Sequence, residues 1–400
     1  MSVIKGKNII IGVTGGIAAY KSCELVRALV REGAAVRVIL TQNAMEFVTP
    51  LTLQTLSGNR VATKTFDLAW ESEIGHISLA DSAELIVVAP ATASFIGKLS
   101  SGIADSLLST VILATLSPVI VCPAMNVNMY KNPAVQENLT RLGNRGYTIV
   151  EPAEGDLACG WEGKGRLPEI KDIMEEIERT FTTKDLSNER VLVTGGATRE
   201  YIDSVRYISN PSSGKMGYAL AREARMRGAD VVLISGKTSL IPPPGVRFIE
   251  AVTSGDMYES VMKFLDWSTI VIKAAAVGDY TPSRKVNGKI KKDDGERVLK
   301  LKRTEDILKK VGENKNGRFI VGFAAETDNL IANARDKLIK KNVDFIVAND
   351  VSKEGSGFES DTNQVHFVYG KGDTEELPSM PKSDTARRIF DKILELKNLN

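Results

Sequence analysis

The chain has 400 residues, 43% apolar and 26% charged, which is more than one hydrophobic core accommodates and predicts two domains. A formal charge of only +2 excludes a surface built to coat a polyanion, so no nucleic-acid partner is predicted. The three cysteines (Cys23, Cys122, Cys159) have no metal spacing and cannot all pair, no apolar run reaches membrane-spanning length, and Met1-Ser-Val-Ile-Lys-Gly-Lys7 lacks a signal core; the expectation is a cytoplasmic protein without a membrane partner.

Asn8-Ile-Ile-Ile-Gly-Val-Thr-Gly-Gly16 reads as a buried strand running into a glycine turn, followed by helical spacing over 17–31 and a second strand from Ala35 to Thr41. Free N–H groups after Gly15 and Gly16 suit an anion, although a tight strand–helix connection alone would also call for glycine. The turn is neither Gly-x-Gly-x-x-Gly nor a P-loop. Leu85-Ile-Val-Val-Ala-Pro90 is another buried strand, and Ala91-Thr-Ala-Ser94 opens the next helix with small residues and hydroxyls that let a flat ligand approach. Val119-Ile-Val-Cys122 then leads into Pro123-Ala-Met-Asn-Val-Asn-Met129, at the strand edge where open α/β sheets place ligands. A plain turn with two packing methionines fits that stretch as well. A short strand over 147–150 follows. Leu157-Ala-Cys-Gly-Trp-Glu-Gly-Lys-Gly-Arg166 has too many glycines for a packed element and predicts an exposed loop with a reactive cysteine. A helix over 169–180 closes this half, and the polar stretch 182–189 reads as a linker.

The pattern restarts at Arg190-Val-Leu-Val-Thr-Gly-Gly196. Ser209-Asn-Pro-Ser-Ser-Gly-Lys-Met-Gly217, ahead of a helix over 218–227, is a second candidate phosphate site. Strands are expected over 230–235 and 269–276, with Lys273-Ala-Ala-Ala-Val-Gly-Asp279 ending at the ligand edge. Lys285, Lys289, Lys291 and Lys292 precede a hairpin turn at Asp293-Asp-Gly295 and form either a solvated face or an arm over a triphosphate. A strand over 318–326 ends in Gly-Phe-Ala-Ala-Glu-Thr327, and Lys337 and Lys341 share one face of the next helix. Strands over 343–349 and 364–369 and a helix over 384–397 complete the chain. His366, in an alternating strand, is read as structural.

Together these motifs make the chain resemble the bifunctional phosphopantothenoylcysteine decarboxylase/phosphopantothenate–cysteine ligases of coenzyme A biosynthesis. The resemblance rests on Gly75-His-Ile-Ser-Leu79, Pro123–Met129, Ala158–Arg166, Asn210–Gly217, Lys273–Asp279, Lys289-Ile-Lys-Lys292 and Gly322–Thr327, in the family's order. Ser94 stands where relatives often carry Asn. The implied fold is α/β: two Rossmann-like domains with mostly parallel sheets, a flavoprotein decarboxylase domain over 1–181 and a ligase domain over 190–400.

The resemblance implies FMN-dependent decarboxylation, in which oxidation of the carbon bearing sulfur creates the electron sink that loss of CO2 requires. Asn126 would hold the substrate carboxylate, His76 would assist decarboxylation, and Cys159 would protonate the product enethiolate. Gly15, Gly16, Thr41, Pro90, Ala91 and Thr92 would contact FMN. In the second half CTP would activate 4′-phosphopantothenate as an acyl-cytidylate, which L-cysteine then attacks. Lys289 would stabilise the charge that builds on the phosphates, and Asn210 would bind the acyl intermediate. Lys273, Ala274, Ala275, Asp279, Glu305, Asp306, Ile307, Phe323, Lys337 and Lys341 would contact CTP. Mg2+ is expected with the triphosphate, with no ligand cluster visible. The family pattern also implies a homo-oligomer built on trimers of the first domain and dimers of the second. The rival reading, an NAD(P)-linked oxidoreductase, requires an acidic residue about 20 positions past a Gly-x-Gly-x-x-Gly, which neither half offers. A non-catalytic flavin- or nucleotide-binding regulator would be favoured only if Cys159, His76 or Lys289 were missing, and all three are present.

Overall fold

A computed structural model describes residues 2–64, 75–156, 162–291, 298–326, 328–350, 360–370 and 373–398. The chain divides into two compact units, Met1–Thr182 and Thr183–Asn400.

In the first unit the apolar runs become β1 (Asn8–Val13), β2 (Ala35–Leu40), β3 (Leu85–Ala91), β4 (Val119–Pro123) and β5 (Thr148–Ile149). They form one all-parallel sheet in the order β2-β1-β3-β4-β5. Helices cover both faces, so each strand buries alternate residues in opposite layers. Ile9, Ile11, Val13, Leu85 and Val87 pack on one side, and Ile10, Ile86 and Val88 on the other. Each such side chain removed from water is worth roughly 1.5–3 kcal/mol, which is why the strands read as continuous apolar runs instead of alternating ones. Two short strands, β6 (Ala153–Asp156) and β7 (Glu162–Arg166), pair as an antiparallel hairpin outside this sheet.

The helix expected over 17–31 begins as a 3-10 turn, Ile17–Lys21, and becomes α-helical only at Ser22–Arg31. A glycine beside His76 reads in the sequence as marking a loop, but His76 is the first residue of the helix His76–Ser82.

The second unit is built on β8 (Arg190–Gly195), with a small hairpin of β9 (Arg199–Tyr201) and β10 (Tyr207–Ser209) following it. Next come β11 (Asp230–Ser235), β12 (Arg247–Glu250), β13 (Ile270–Lys273), and the pair β14 (Tyr280–Pro282) and β15 (Leu301–Arg303). β16 (Phe319–Glu326), β17 (Phe345–Asp350), β18 (Thr362–Asn363), β19 (Val365–Tyr369), β20 (Asp373–Glu376) and β21 (Met380–Pro381) complete the strands. The main sheet runs β12-β11-β8-β13-β16-β17-β19-β20, parallel as far as β17 and antiparallel at its last two strands. His366 lies in β19 opposite Ala348 and Glu376. The expected α/β architecture with mostly parallel sheets is therefore present in both units.

Three local expectations need correction. The strand expected over 269–276 stops at Lys273, because Ala275 N–H turns to the Thr194 hydroxyl (3.1 Å) and leaves the ladder. The helix expected over 218–227 is Lys215–Met226: Gly214, at φ 82°, lets the chain enter the helix earlier. The polar stretch read as a linker is tied to the second unit. Leu186 is fully buried, Asp185 pairs with Arg227 (2.6 Å), and Lys184 Nζ donates to the Met226 carbonyl (2.8 Å).

Candidate active sites

In the order β2-β1-β3 the chain steps from β1 to β2 on one side and then crosses back to β3 on the other, and ligands of open α/β sheets bind at such a switch point, beyond the carboxyl ends of the strands. A cavity of about 870 Å³ lies there. Gly15 and Gly16 after β1, Thr41 after β2, Pro90 near the end of β3, Thr92 just after it and Asn126 after β4 all line it. The rim is held by its own hydroxyls: Thr14 Oγ1 donates to the Pro90 carbonyl (2.8 Å) and accepts from Thr92 N–H (3.0 Å). Thr92 in turn caps the helix Ala93–Ser100 by accepting from Phe95 N–H. Gly15 has no room for a side chain, since a Cβ would lie 2.3 Å from Asn43 Cβ. Ala91 is fully buried and lines the wall only indirectly, its carbonyl accepting from Ala124 N–H (3.0 Å).

Asn126 caps the helix Val127–Lys131, with Oδ1 accepting from Asn128 N–H (2.8 Å). Its loop is tied to β7, because Met125 N–H donates to the Gly165 carbonyl (2.9 Å). Of the segment read as an exposed loop, residues 162–166 are instead the strand β7, where Gly163 and Gly165 permit close packing: a Cβ on Gly165 would lie 2.4 Å from the Met125 carbonyl oxygen. Gly165→Ala is expected to push the hairpin off this loop, at a cost of typically 1–3 kcal/mol. The check is a lower melting temperature; an unchanged one would show that the contact has slack. His76 does not line the cavity, and Cys159 lies outside the described residues.

The lining fits FMN. Ala, Pro, Ile and Met side chains offer flat apolar surface for a ring, while hydroxyls and the N–H groups of a glycine turn offer donors for a phosphate. Sequence reasoning missed Asn43, the residue that forces glycine at position 15, and Ser106, which caps the helix Leu107–Ala114. A serine directly ahead of the apolar run at Leu107 was a readable N-cap signal.

In the second unit a smaller cavity of about 480 Å³ lies beyond β13 and β16. Lys273, Ala275, Asp279, Glu305, Asp306, Ile307, Phe323, Lys337 and Lys341 line it, and Arg303 and Tyr280, not anticipated from sequence, join them. Lys337 Nζ donates to the Phe323 carbonyl (2.8 Å), and Lys341 pairs with Asp306. Burial, reinforced by Lys337, pushes the Lys273 amine down to about 8 against the pull of Asp306 and Asp279. Burial pushes the Asp306 carboxyl up, but hydrogen bonds from Lys341 and the Lys309 N–H outweigh it and hold the group below the usual carboxylate range. Asn210 reaches the rim, with Nδ2 3.4 Å from the Val277 carbonyl. Ala274 and Lys289 do not line the cavity. Lys289 is exposed on the segment that follows β14. At the second candidate phosphate site, the Lys215 ammonium pairs with Asp361 (2.6 Å).

Two doubly wound units, one with a cavity suited to a flat phosphorylated ring and the other with a cationic cavity suited to a nucleotide, define a two-domain cofactor- and nucleotide-binding α/β protein. Residues 2–182 match the family described as Flavoprotein, and residues 186–396 match the DNA/pantothenate metabolism flavoprotein C-terminal domain. The chain is 50% identical over 398 residues to the coenzyme A biosynthesis bifunctional protein CoaBC of Bacillus subtilis, covering 98% of each chain. It is 45% identical to the protein of the same name from Vibrio cholerae (99% of this chain, 100% of the other) and 44% identical to that of Escherichia coli (98% and 97%). The chain belongs to this family of bifunctional coenzyme A biosynthesis proteins.

Proposed function

We propose that the second unit joins L-cysteine to 4′-phosphopantothenate at the expense of CTP, through an acyl-cytidylate. The first unit then decarboxylates the 4′-phosphopantothenoylcysteine to 4′-phosphopantetheine with FMN. The reading rests chiefly on likeness to bifunctional relatives along 98% of the chain, with a cavity of fitting character in each half. Residues 1–181 would form the decarboxylase domain and 190–400 the ligase domain.

FMN, when bound, supplies a reversible two-electron oxidation of the carbon bearing sulfur. Gly15, Gly16, Thr41, Pro90 and Thr92 would hold it, with Ala91 behind them. Asn126, its amide oxygen engaged by Asn128 N–H, would meet the substrate carboxylate through Nδ2. His76 would assist loss of CO2, and the Cys159 thiol would deliver the proton to carbon, a task that suits a reducing cytoplasm. In the second unit Lys273, Lys337 and Lys341 would carry the triphosphate, with Asp279 and Phe323 beside the nucleotide. Lys289 would offset charge on the phosphates as pyrophosphate leaves, and Asn210 would hold the acyl group. Among the described residues no group of three His, Cys, Asp or Glu could hold a metal, so Mg2+ would arrive on the triphosphate. Exposed Ile17, Tyr20 and Met129 rim the first cavity, which supports a neighbouring copy completing it in a trimer; dimers of the second unit would extend that assembly.

The test is a two-stage assay with 4′-phosphopantothenate, cysteine and each nucleoside triphosphate in turn. CTP should support ligation, and purified protein should be yellow. Lys289→Gln and Asn210→Asp should block synthesis yet spare decarboxylation of supplied 4′-phosphopantothenoylcysteine. Colourless protein, or both reactions lost together, would contradict the assignment.

A further inference from the structure

The segment 285–291 carries Lys289 at the surface, and the β9–β10 hairpin holds it down. Val286 N–H donates to the Ile202 carbonyl (3.1 Å), and Gly288 N–H donates to Ser204 Oγ (2.9 Å). Ile290 N–H donates to Asp203 Oδ2 (3.1 Å), while Arg206 Nη2 reaches the Ile290 carbonyl (3.4 Å). The Lys285 ammonium sits 5.3 Å from the centre of the Tyr201 ring.

Asp203 is the centre of this arrangement. It is fully buried, and a buried carboxylate is stable only when its lone pairs are filled. Its Oδ1 accepts from Val205 and Arg206 N–H, both at 2.7 Å, which is a local turn. Its Oδ2 faces away from that turn, to Ile290 N–H and, at 3.6 Å, the Arg206 guanidinium. The backbone donors at Arg206 and Val205, followed by Ile290, hold the carboxyl below the usual range. A turn alone needs only Oδ1. The second oxygen is used to grip the residue next to Lys289. The same hairpin runs directly into Asn210, so one short element fixes the approach of both ligase side chains.

We propose that Asp203 is a positioning residue for ligation, holding Lys289 where charge builds on the phosphates by fixing the backbone at Ile290. This rests on the reading of Lys289 given above. The Asp203→Asn variant of the full chain isolates the link. Its amide oxygen can keep the two donors of the turn, which places an NH2 group against Ile290 N–H, donor facing donor. Fixing a reacting group contributes steeply to rate, so the rate of pyrophosphate release from CTP and 4′-phosphopantothenate should fall roughly 10- to 100-fold. KM for CTP should change far less. Trypsin should cut faster after Lys289, and decarboxylation of supplied 4′-phosphopantothenoylcysteine should be unchanged. Pyrophosphate release at the wild-type rate would overturn the proposal, as would lost release with tryptic cleavage unaltered. Lys289→Gln is run beside it. If that variant still releases pyrophosphate, the reading of Lys289 fails and the proposal with it; if it is blocked while Asp203→Asn is normal, the proposal alone fails. Should Asp203→Asn not fold, Ser204→Ala removes the neighbouring grip on Gly288, and the same two readouts decide.

Discussion

Gly15→Ala is expected to give colourless protein with little decarboxylase activity, while ligation in the same chain persists. A Cβ at this position would lie 2.3 Å from Asn43 Cβ and 2.7 and 2.8 Å from the Asn43 carbonyl carbon and oxygen. Backbone atoms cannot swing aside as a flexible side-chain end can, so the turn after β1 and the 3-10 turn Gln42–Glu46 must move apart. Both line the first cavity, through Gly15, Gly16, Thr41 and Asn43. Overpacking of this kind costs typically 1–3 kcal/mol, equal to roughly 10- to 100-fold in affinity if it falls on the binding-competent geometry. Flavin absorbance of the purified protein and titration of stripped protein with FMN check it. A yellow Gly15→Ala enzyme with normal turnover would show that the two turns separate without disturbing the cavity.

Gly16→Ala separates two causes. A Cβ there would meet only Thr92 Cγ2, at 3.5 Å, an ordinary contact, so the protein itself can accommodate it. Loss of flavin in this variant would therefore report close approach of the ligand to the backbone, whereas loss in Gly15→Ala reports distortion of the cavity.

Most strands were legible because burial on both faces leaves continuous apolar runs: all seven residues of β3 are buried. Glycine turns beyond strand ends pointed to the cavity walls for the same local reason. What escaped were features fixed by distant partners. Leu186 sits among polar neighbours in sequence, and only the Arg227 carbonyl that accepts its N–H, together with the core it enters, reveals it as anchored. The 3-10 start at Ile17 has no pattern of its own. Lys273 reads as one more residue inside a strand expected over 269–276, and its amine is perturbed first by burial and then by Lys337, far along the chain. The grip of Asp203 on Ile290 likewise has no local signature, since Asp-Ser-Val-Arg reads simply as a turn.

CTP binding is expected to take up a proton above pH 8, and Lys273→Met to abolish that uptake. In the free protein the Lys273 amine titrates at about 8 instead of 10.5, first because it is desolvated and second because Lys337 repels its charge; Asp306 and Asp279 only partly offset these. Its folded value lies below its unfolded one, so between about 8 and 10.5 the unfolded chain holds more protons at this group. Its contribution to stability therefore rises with pH through that window and is lost as pH falls through 8. A triphosphate reverses the local field: negative charge beside the amine favours the ammonium and raises its titration. At pH 8.5 part of the population must then gain a proton on binding, and CTP affinity must decline as pH climbs past 8. Calorimetric titration at pH 8.5 in two buffers of different ionisation enthalpy measures the uptake directly. Lys273→Met should also weaken CTP at neutral pH, because hydrogen bonds to charged groups contribute about 1.5–3 kcal/mol, or roughly 10- to 100-fold. Equal proton uptake in wild type and Lys273→Met would assign the titration to another group in the cavity and remove Lys273 from the triphosphate's surroundings.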